Sequence, residues 1–223
     1  WYLGRAFPVR DEGRVVRWFG TWTDIDRTKR SAETSRFLIE ATADVVGEDD
    51  VETILRRIAK LAVPLFADWT AVHLLDDDGR IRWVAVNGSG DDADELLRTS
   101  SPVPADRTFE RGPIHAVRTG TTDWASTVTD DILAACAKGR HLAFLRSLDL
   151  RSVIAVPIRA GSTVLGGITF ATSGSGRVYG IEAVVAMDDM ARRVGIAIEN
   201  ARLVDALKAG DRRKDEFLAM LAH

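Results

Sequence analysis

Residues 152–203 constrain the fold more than any other part of the chain. The runs SVIAVPI (152–158) and VLGGITFAT (164–172) are rich in β-branched and apolar side chains, and Ala160-Gly161-Ser162 supplies a turn between them. A loop of Gly and Ser at 173–176 follows. Beyond it Met187, Met190, Val194, Ala197, Ala201 and Val204 recur three and four apart. Two strands feeding such a helix call for a sheet covered by helices on at least one face. The spacing suits a coiled-coil seam, and it equally suits a helix that packs on its own sheet.

Upstream segments extend this plan. Residues 69–75 and 81–86 flank Asp76-Asp77-Asp78-Gly79, a hairpin signal. Before them, Asp49 as cap and Glu52 three residues later introduce a helix bearing Val51, Ile54, Leu55, Ile58, Leu61 and Leu65, with Pro64 as its stop or kink. A polar stretch holds Pro102 and Pro104; residues 113–118 then read as a short helix stopped by Gly120, and residues 130–148 as one longer helix. At the start of the chain, strands at 1–9 and 15–23 surround Asp11-Glu12-Gly13. The predicted class is α+β: an antiparallel sheet flanked by helices, an N-terminal β-hairpin, and terminal helices packed on one face.

Charge and cysteine usage exclude several functions. The 30 Lys and Arg are interspersed with 33 Asp and Glu, so no nucleic-acid partner is indicated. The single cysteine, Cys136, leaves no intramolecular disulfide and no multi-cysteine zinc site, which fits a reducing, cytoplasmic setting. No apolar run approaches the ~20 residues of a membrane span, and WYLGRAFPVR lacks the apolar core of a signal peptide.

Three stretches resemble known families. LRSVIAVPIRAGSTVLGGITFATS followed by YGIEAVVAMDDMARRVGIAIENARL is similar to the last two strands and closing helix of GAF domains, over residues 36–204. WYLGRAFPVRDEGRVVRWFGTWTDIDRTKR resembles the last strands of a PAS domain: Asp24-Ile25 matches the family's exit, while Asp26 stands where Thr is common. The final run KDEFLAMLAH resembles the start of the phosphoacceptor helix of sensor histidine kinases, which makes His223 the phosphate-accepting residue by resemblance. These likenesses imply a PAS hairpin at 1–26, a linker helix at 27–35, a GAF sensor at 36–204, and a signalling helix running into a truncated phosphoacceptor helix at 205–223. They imply the sensory input region of a two-component histidine kinase, dimeric through its terminal helices, with a receiver domain of a response regulator as partner and ATP bound only in the full-length parent. A GAF module regulating another output, such as a phosphatase or cyclase, is the alternative, and only the last ten residues discriminate.

Within the GAF-like region, the candidates for chemistry are His73, His115, His141 and Cys136. Bilin-binding GAF domains place a cysteine just before a histidine, about sixteen residues ahead of the strand proline. Here His141 stands sixteen before Pro157, but Arg140 precedes it, so a covalent bilin is not expected. A haem would need one imidazole aimed at iron in an apolar pocket and is not expected either. No metal site is indicated by ligand spacing, and the Asn-Lys-Phe-Asp-Glu pattern of cyclic-nucleotide-binding GAF domains is missing. Trp83 on a strand, Trp124 in a loop, and His141 and Phe144 on a helix are the expected contacts for an unidentified small-molecule ligand. Ala209-Gly210, just before the kinase-like helix, reads as a hinge or a change of helical phase.

Overall fold

The computed structural model describes residues 2–25, 51–88, 103–104 and 109–221. The expected linker helix at 27–35, the cap at Asp49, and His223 lie outside the described residues. The chain divides into two units, Trp1–Glu40 and Ala41–His223.

The first unit holds the hairpin of β1, Tyr2–Asp11, and β2, Arg14–Asp24. Asp11 pairs with Arg14, leaving Glu12 and Gly13 as a two-residue turn with φ of +45° and +84°. Two left-handed residues give the turn whose twist matches that of the flanking strands. Trp18 lies opposite Pro8 and Trp22 opposite Gly4, and both tryptophans are more than 60% exposed within this unit.

In the second unit α1, Val51–Leu65, presents Ile54, Leu55, Ile58, Ala59 and Ala62 as its buried face. Its helical geometry fails at Val63, φ −101° and ψ 129°, because a residue that precedes a proline is disfavoured from the α region. The sheet that follows comprises β3 (Trp69–Leu75), β4 (Arg80–Gly88), β5 (Val103–Pro104), β6 (Asp123–Ala125), β7 (Ser152–Ala160) and β8 (Thr163–Thr172). Their order is β5-β4-β3-β8-β7-β6, with every neighbouring pair antiparallel. The expected α+β class is therefore the observed one.

One face of the sheet belongs to α1 and to α5, Ile181–Leu221. Val72, Leu74, Ile154, Val156, Ile158, Ile168 and Phe170 point there, against Met187, Met190, Ala191, Val194 and Ile198. The first three positions of the predicted seam, Met187, Met190 and Val194, are thus spent on the domain's own sheet. Ala197 and Ala201 are half-buried and Val204 is exposed. Contact is closest at Gly195, where a Cβ would stand 2.0 Å from the carbonyl oxygen of Arg159. Past the sheet the helix continues through Ala209 and Gly210 without a break, so the expected interruption is not a backbone break.

The opposite face carries α2 (Gly112–Thr119), α3 (Asp130–Cys136) and α4 (Gly139–Ser147). Helix α2 and its Gly120 stop agree with the sequence reading. The single helix expected at 130–148 is two helices, because Ala137 and Lys138 are extended and Gly139 takes φ +61°. Arg146 clamps the pair with a two-pronged bond to Asp130, at 2.6 and 2.7 Å. Trp124, expected in a loop, sits on β6 opposite Ile154.

The connection from β8 to α5 is sewn to the end of α1. Asp68 accepts hydrogen bonds from Ser173 N, Ser175 N and Ser175 Oγ, Arg177 donates to Leu65 O, and Tyr179 Oη donates to Phe66 O. Burial pushes the Asp68 carboxyl up, but these hydrogen bonds and the charge of Arg177 outweigh it and hold it below its usual range.

Replacing Gly195 by Ala should cost about 2–3 kcal/mol, as in an overpacked core, because the obstacle is backbone rather than a flexible side chain. Thermal melting checks this, at about 2–4 °C per kcal/mol for a domain of this size; an unchanged melt would mean that α5 and β7 separate freely.

Candidate functional site

Beneath α2, α3 and α4 the sheet borders a cavity of about 530 Å³. That is ample for a small organic molecule. Alternation along β3 sends Trp69, Ala71 and His73 towards it, and along β7 Val153 and Ala155. On β4 alternation alone would place Trp83 and Val86 on opposite faces. Both face the cavity because the register shifts at Val72/His73: Val86 pairs with Ala71, Ala85 with Val72, and Trp83 with His73, so Val84 is the extra residue of a bulge. Helix α4 contributes His141, Phe144 and Leu145, with Leu148 just beyond, at the i, i+3, i+4, i+7 spacing of one helical face.

Rings dominate the wall. The ring of Trp83 lies between two imidazoles, 4.4 Å from His73 and 5.2 Å from His141 by centroid. Phe144 meets Trp69 edge to face at 6.1 Å and 88°. Both pairings suit the aromatic quadrupole.

The polar groups of the inner wall are held uncharged or paired, while Lys138 and Arg140 stand exposed at its border. His73 is 2% exposed, and neither of its ring nitrogens has a hydrogen-bond partner among the described residues. Burial, reinforced by His141 and opposed only weakly by the backbone of Gly167, lowers its pKa to about 3. Burial likewise lowers His141. The Cys136 thiol is pushed up to about 12 by burial and by Asp123, against a smaller pull from Arg111. It therefore stays protonated at neutral pH and is a poor nucleophile. Gly112, at φ +83°, makes room for it: a Cβ there would stand 2.9 Å from Cys136 Sγ. Asp123 accepts from Arg111 Nε at 2.8 Å and from Gly112 N, which fixes β6 against the start of α2. Such a lining offers shape, rings and neutral hydrogen-bonding groups.

Of the residues singled out from the sequence, the fold brings Trp83, His141 and Phe144 together around this cavity. It does not bring Trp124, which is absent from the lining and donates its Nε1 to Tyr179 O at 3.1 Å. The strand position of Trp124 and the alternation of β6 explain this, since Asp123 takes the cavity side. His115 lies on α2 with Nδ1 3.4 Å from Arg118 and does not line the cavity. Sequence reasoning missed Trp69 and Phe109 as wall residues, and it named His73 and Cys136 as candidates for chemistry without counting them among the ligand contacts, although both line the cavity. The alternation of Trp69, Ala71 and His73 held that signal. Among the described residues, no three His, Cys, Asp or Glu side chains converge as metal ligands, and no helix is long and apolar enough to cross a membrane.

The family model of the GAF domain matches residues 48–199. The chain belongs to the GAF domain family. As such it contains a regulatory small-molecule-binding module. Solved structures share its fold and are distant from it in sequence. The GAF domain of a phosphoenolpyruvate-protein phosphotransferase from Coxiella burnetii is 16% identical, with TM-score 0.60, over 79% of this chain and 98% of that one. Free methionine-R-sulfoxide reductase from Neisseria meningitidis, solved with its substrate, is 17% identical, with TM-score 0.56, over 79% and 93%. The GAF-B domain of DevS from Mycobacterium smegmatis is 18% identical, with TM-score 0.50, over 74% and 99%. At these identities the likeness is one of fold. A search of curated proteins found no match.

A buried imidazole with a lowered pKa gives this GAF domain an acid-sensitive stability. The unfolded chain takes up a proton at His73 below about pH 6.5 whereas the folded one resists down to about pH 3, so stability falls across that window, by up to about 1.4 kcal/mol per pH unit. Urea midpoints measured at pH 7.5 and pH 5 should differ clearly for the native chain and much less for His73→Phe. Equal acid sensitivity in both would place the effect elsewhere.

Proposed function

We propose that this chain is the sensory input region of a cytoplasmic two-component histidine kinase, in which a small molecule in the GAF cavity controls phosphorylation of His223. What most supports this reading is one continuous helix: α5 lies on the sheet at Met187 and Val194 and extends to Leu221, within the run KDEFLAMLAH that resembles a phosphoacceptor helix. A neutral imidazole is nucleophilic near pH 7, and phosphohistidine is labile enough to pass its phosphoryl group to a carboxylate of a receiver domain. ATP and the catalytic domain that binds it belong to the full-length parent. The hairpin of residues 1–26 is the end of a PAS domain in this reading.

A route from cavity to helix is available. The segment 120–125 meets the cavity at Asp123, which is tied to Arg111 and Gly112. The same segment grips α5 and the residues before it: Thr122 Oγ1 donates to Asp188 at 2.7 Å, Trp124 donates to Tyr179 O, and Arg159 joins Gly120 O at 2.9 Å to Asp188 at 3.2 Å. A ligand that displaces this segment shifts the start of α5. On the side of α5 turned from the sheet and on past it, exposed Ile196, Leu203 and Leu207, seven and four apart, supply apolar surface for a parallel homodimer.

In the full-length parent, His223→Gln should abolish autophosphorylation with ATP; retained labelling at another residue would end this reading. Asp188→Asn should leave basal labelling near normal but reduce the response to ligand severalfold, while equal responses would exclude the proposed route. Gly210 has open space around its missing Cβ, so Gly210→Ala should stiffen the helix by about 1 kcal/mol and alter the ratio of stimulated to basal labelling. An unchanged ratio would show that the helix needs no soft point there.

A further inference from the structure

Two polar groups on the cavity face of the sheet lack a hydrogen-bond partner among the described residues. His73 presents two unpartnered ring nitrogens, and Thr169 Oγ1, on the neighbouring strand, is likewise without a partner among the described residues. Thr169 pairs with Ala71 and Gly167 pairs with His73, so the hydroxyl and the imidazole are diagonal neighbours on one face. Both residues line the cavity. Native proteins rarely leave buried polar atoms unsatisfied, and two adjoining ones in a cavity mark the place where a bound molecule supplies the missing partner.

The rest of the lining defines that molecule. Trp69, Trp83 and Phe144 form flat aromatic walls. The charge reaching inward, Asp123, is already paired with Arg111. Lys138 and Arg140 border the cavity but are exposed, so their charge is spent largely on water. An ion carried past them would lose its hydration without gaining a buried counter-charge. Resting on the reading of the cavity as the sensory site, we propose that it selects a flat, uncharged aromatic molecule carrying one hydroxyl or amide-like group, with the ring against Trp83 and Trp69 and the polar group between His73 and Thr169. A neutral imidazole and a hydroxyl each donate and accept, so together they satisfy a group that does both.

Three naphthalene probes of one shape separate the elements of this selection: 2-naphthol, naphthalene, and the anion naphthalene-2-carboxylate. Titrated into the 223-residue chain up to their solubility limits, with tryptophan fluorescence and thermal shift as readouts, 2-naphthol should bind at a single site about tenfold tighter than either of the others, a difference of about 1.4 kcal/mol. His73→Phe keeps a ring against Trp83 and removes the orphaned nitrogens; it should retain naphthalene binding and lose the preference for 2-naphthol. Thr169→Val, nearly isosteric, should reduce the same preference and covers the case in which His73→Phe fails to fold. Equal or tighter binding of the carboxylate, equal binding of naphthol and naphthalene, a preference untouched in both variants, or no saturable binding by any probe would each overturn the proposal. The relay to His223 stands or falls separately, on labelling of the full-length parent with and without whichever probe binds: an anion that binds and changes labelling defeats the ligand class and leaves the relay intact.

Discussion

The approach of two backbones, Gly195 on α5 and Arg159 on β7, sets the geometry on which the rest depends. No side chain separates helix and sheet there, so α5 lies deep against the strands and Met190, Val194 and Ile198 become fully buried. With α1 beside it, that face is filled. The domain's space for anything else is then on the opposite face, under three short helices that cannot fill it. Closure on one side and vacancy on the other are two consequences of the same packing decision.

Electrostatics of the cavity follow from this division. Charged groups brought into a wall of rings and aliphatic side chains must be paired or neutral. Asp123 is paired by Arg111 and a backbone amide, Cys136 keeps its proton, and His73 remains unprotonated. The pair that neutralises the wall also locks β6 to α2, and β6 in turn holds Tyr179 through Trp124 and through Ser152, which donates to Ala125 O and accepts from Tyr179 N. The groups that neutralise the inner wall are therefore continuous with those that position the start of the long helix. That continuity is what lets a binding module act on a helix outside it.

Much of the architecture was legible from local pattern. The strand at Trp69–Leu75 falls where the apolar run predicts it, the kink before Pro64 follows from ring sterics, and Gly120 stops α2 as its position suggests. Where local pattern failed, competing long-range contacts decided. The stretch 130–148 has helical composition throughout, yet it bends at Ala137-Lys138 so that α3 and α4 can both face the cavity. The three-four spacing of α5 was ambiguous between partner helix and own sheet, and its first half is answered by the sheet. Trp124 could be recognised as aromatic but not as facing away from the cavity, because β6 is three residues long and exists only through pairing with β7.

By itself the sequence determined the α+β class, the hairpins and the closing helix, because period, turn chemistry and strand composition act over short distances along the chain; the GAF family was legible by resemblance. Only the tertiary structure decided which rings share a cavity. A one-residue bulge opposite Val72 turns Trp83 to the same side as Trp69 and His73. A strand's side chains alternate strictly, so inserting one residue into one partner reverses every side chain beyond it, and nothing in the strand's own composition announces that the insertion is there.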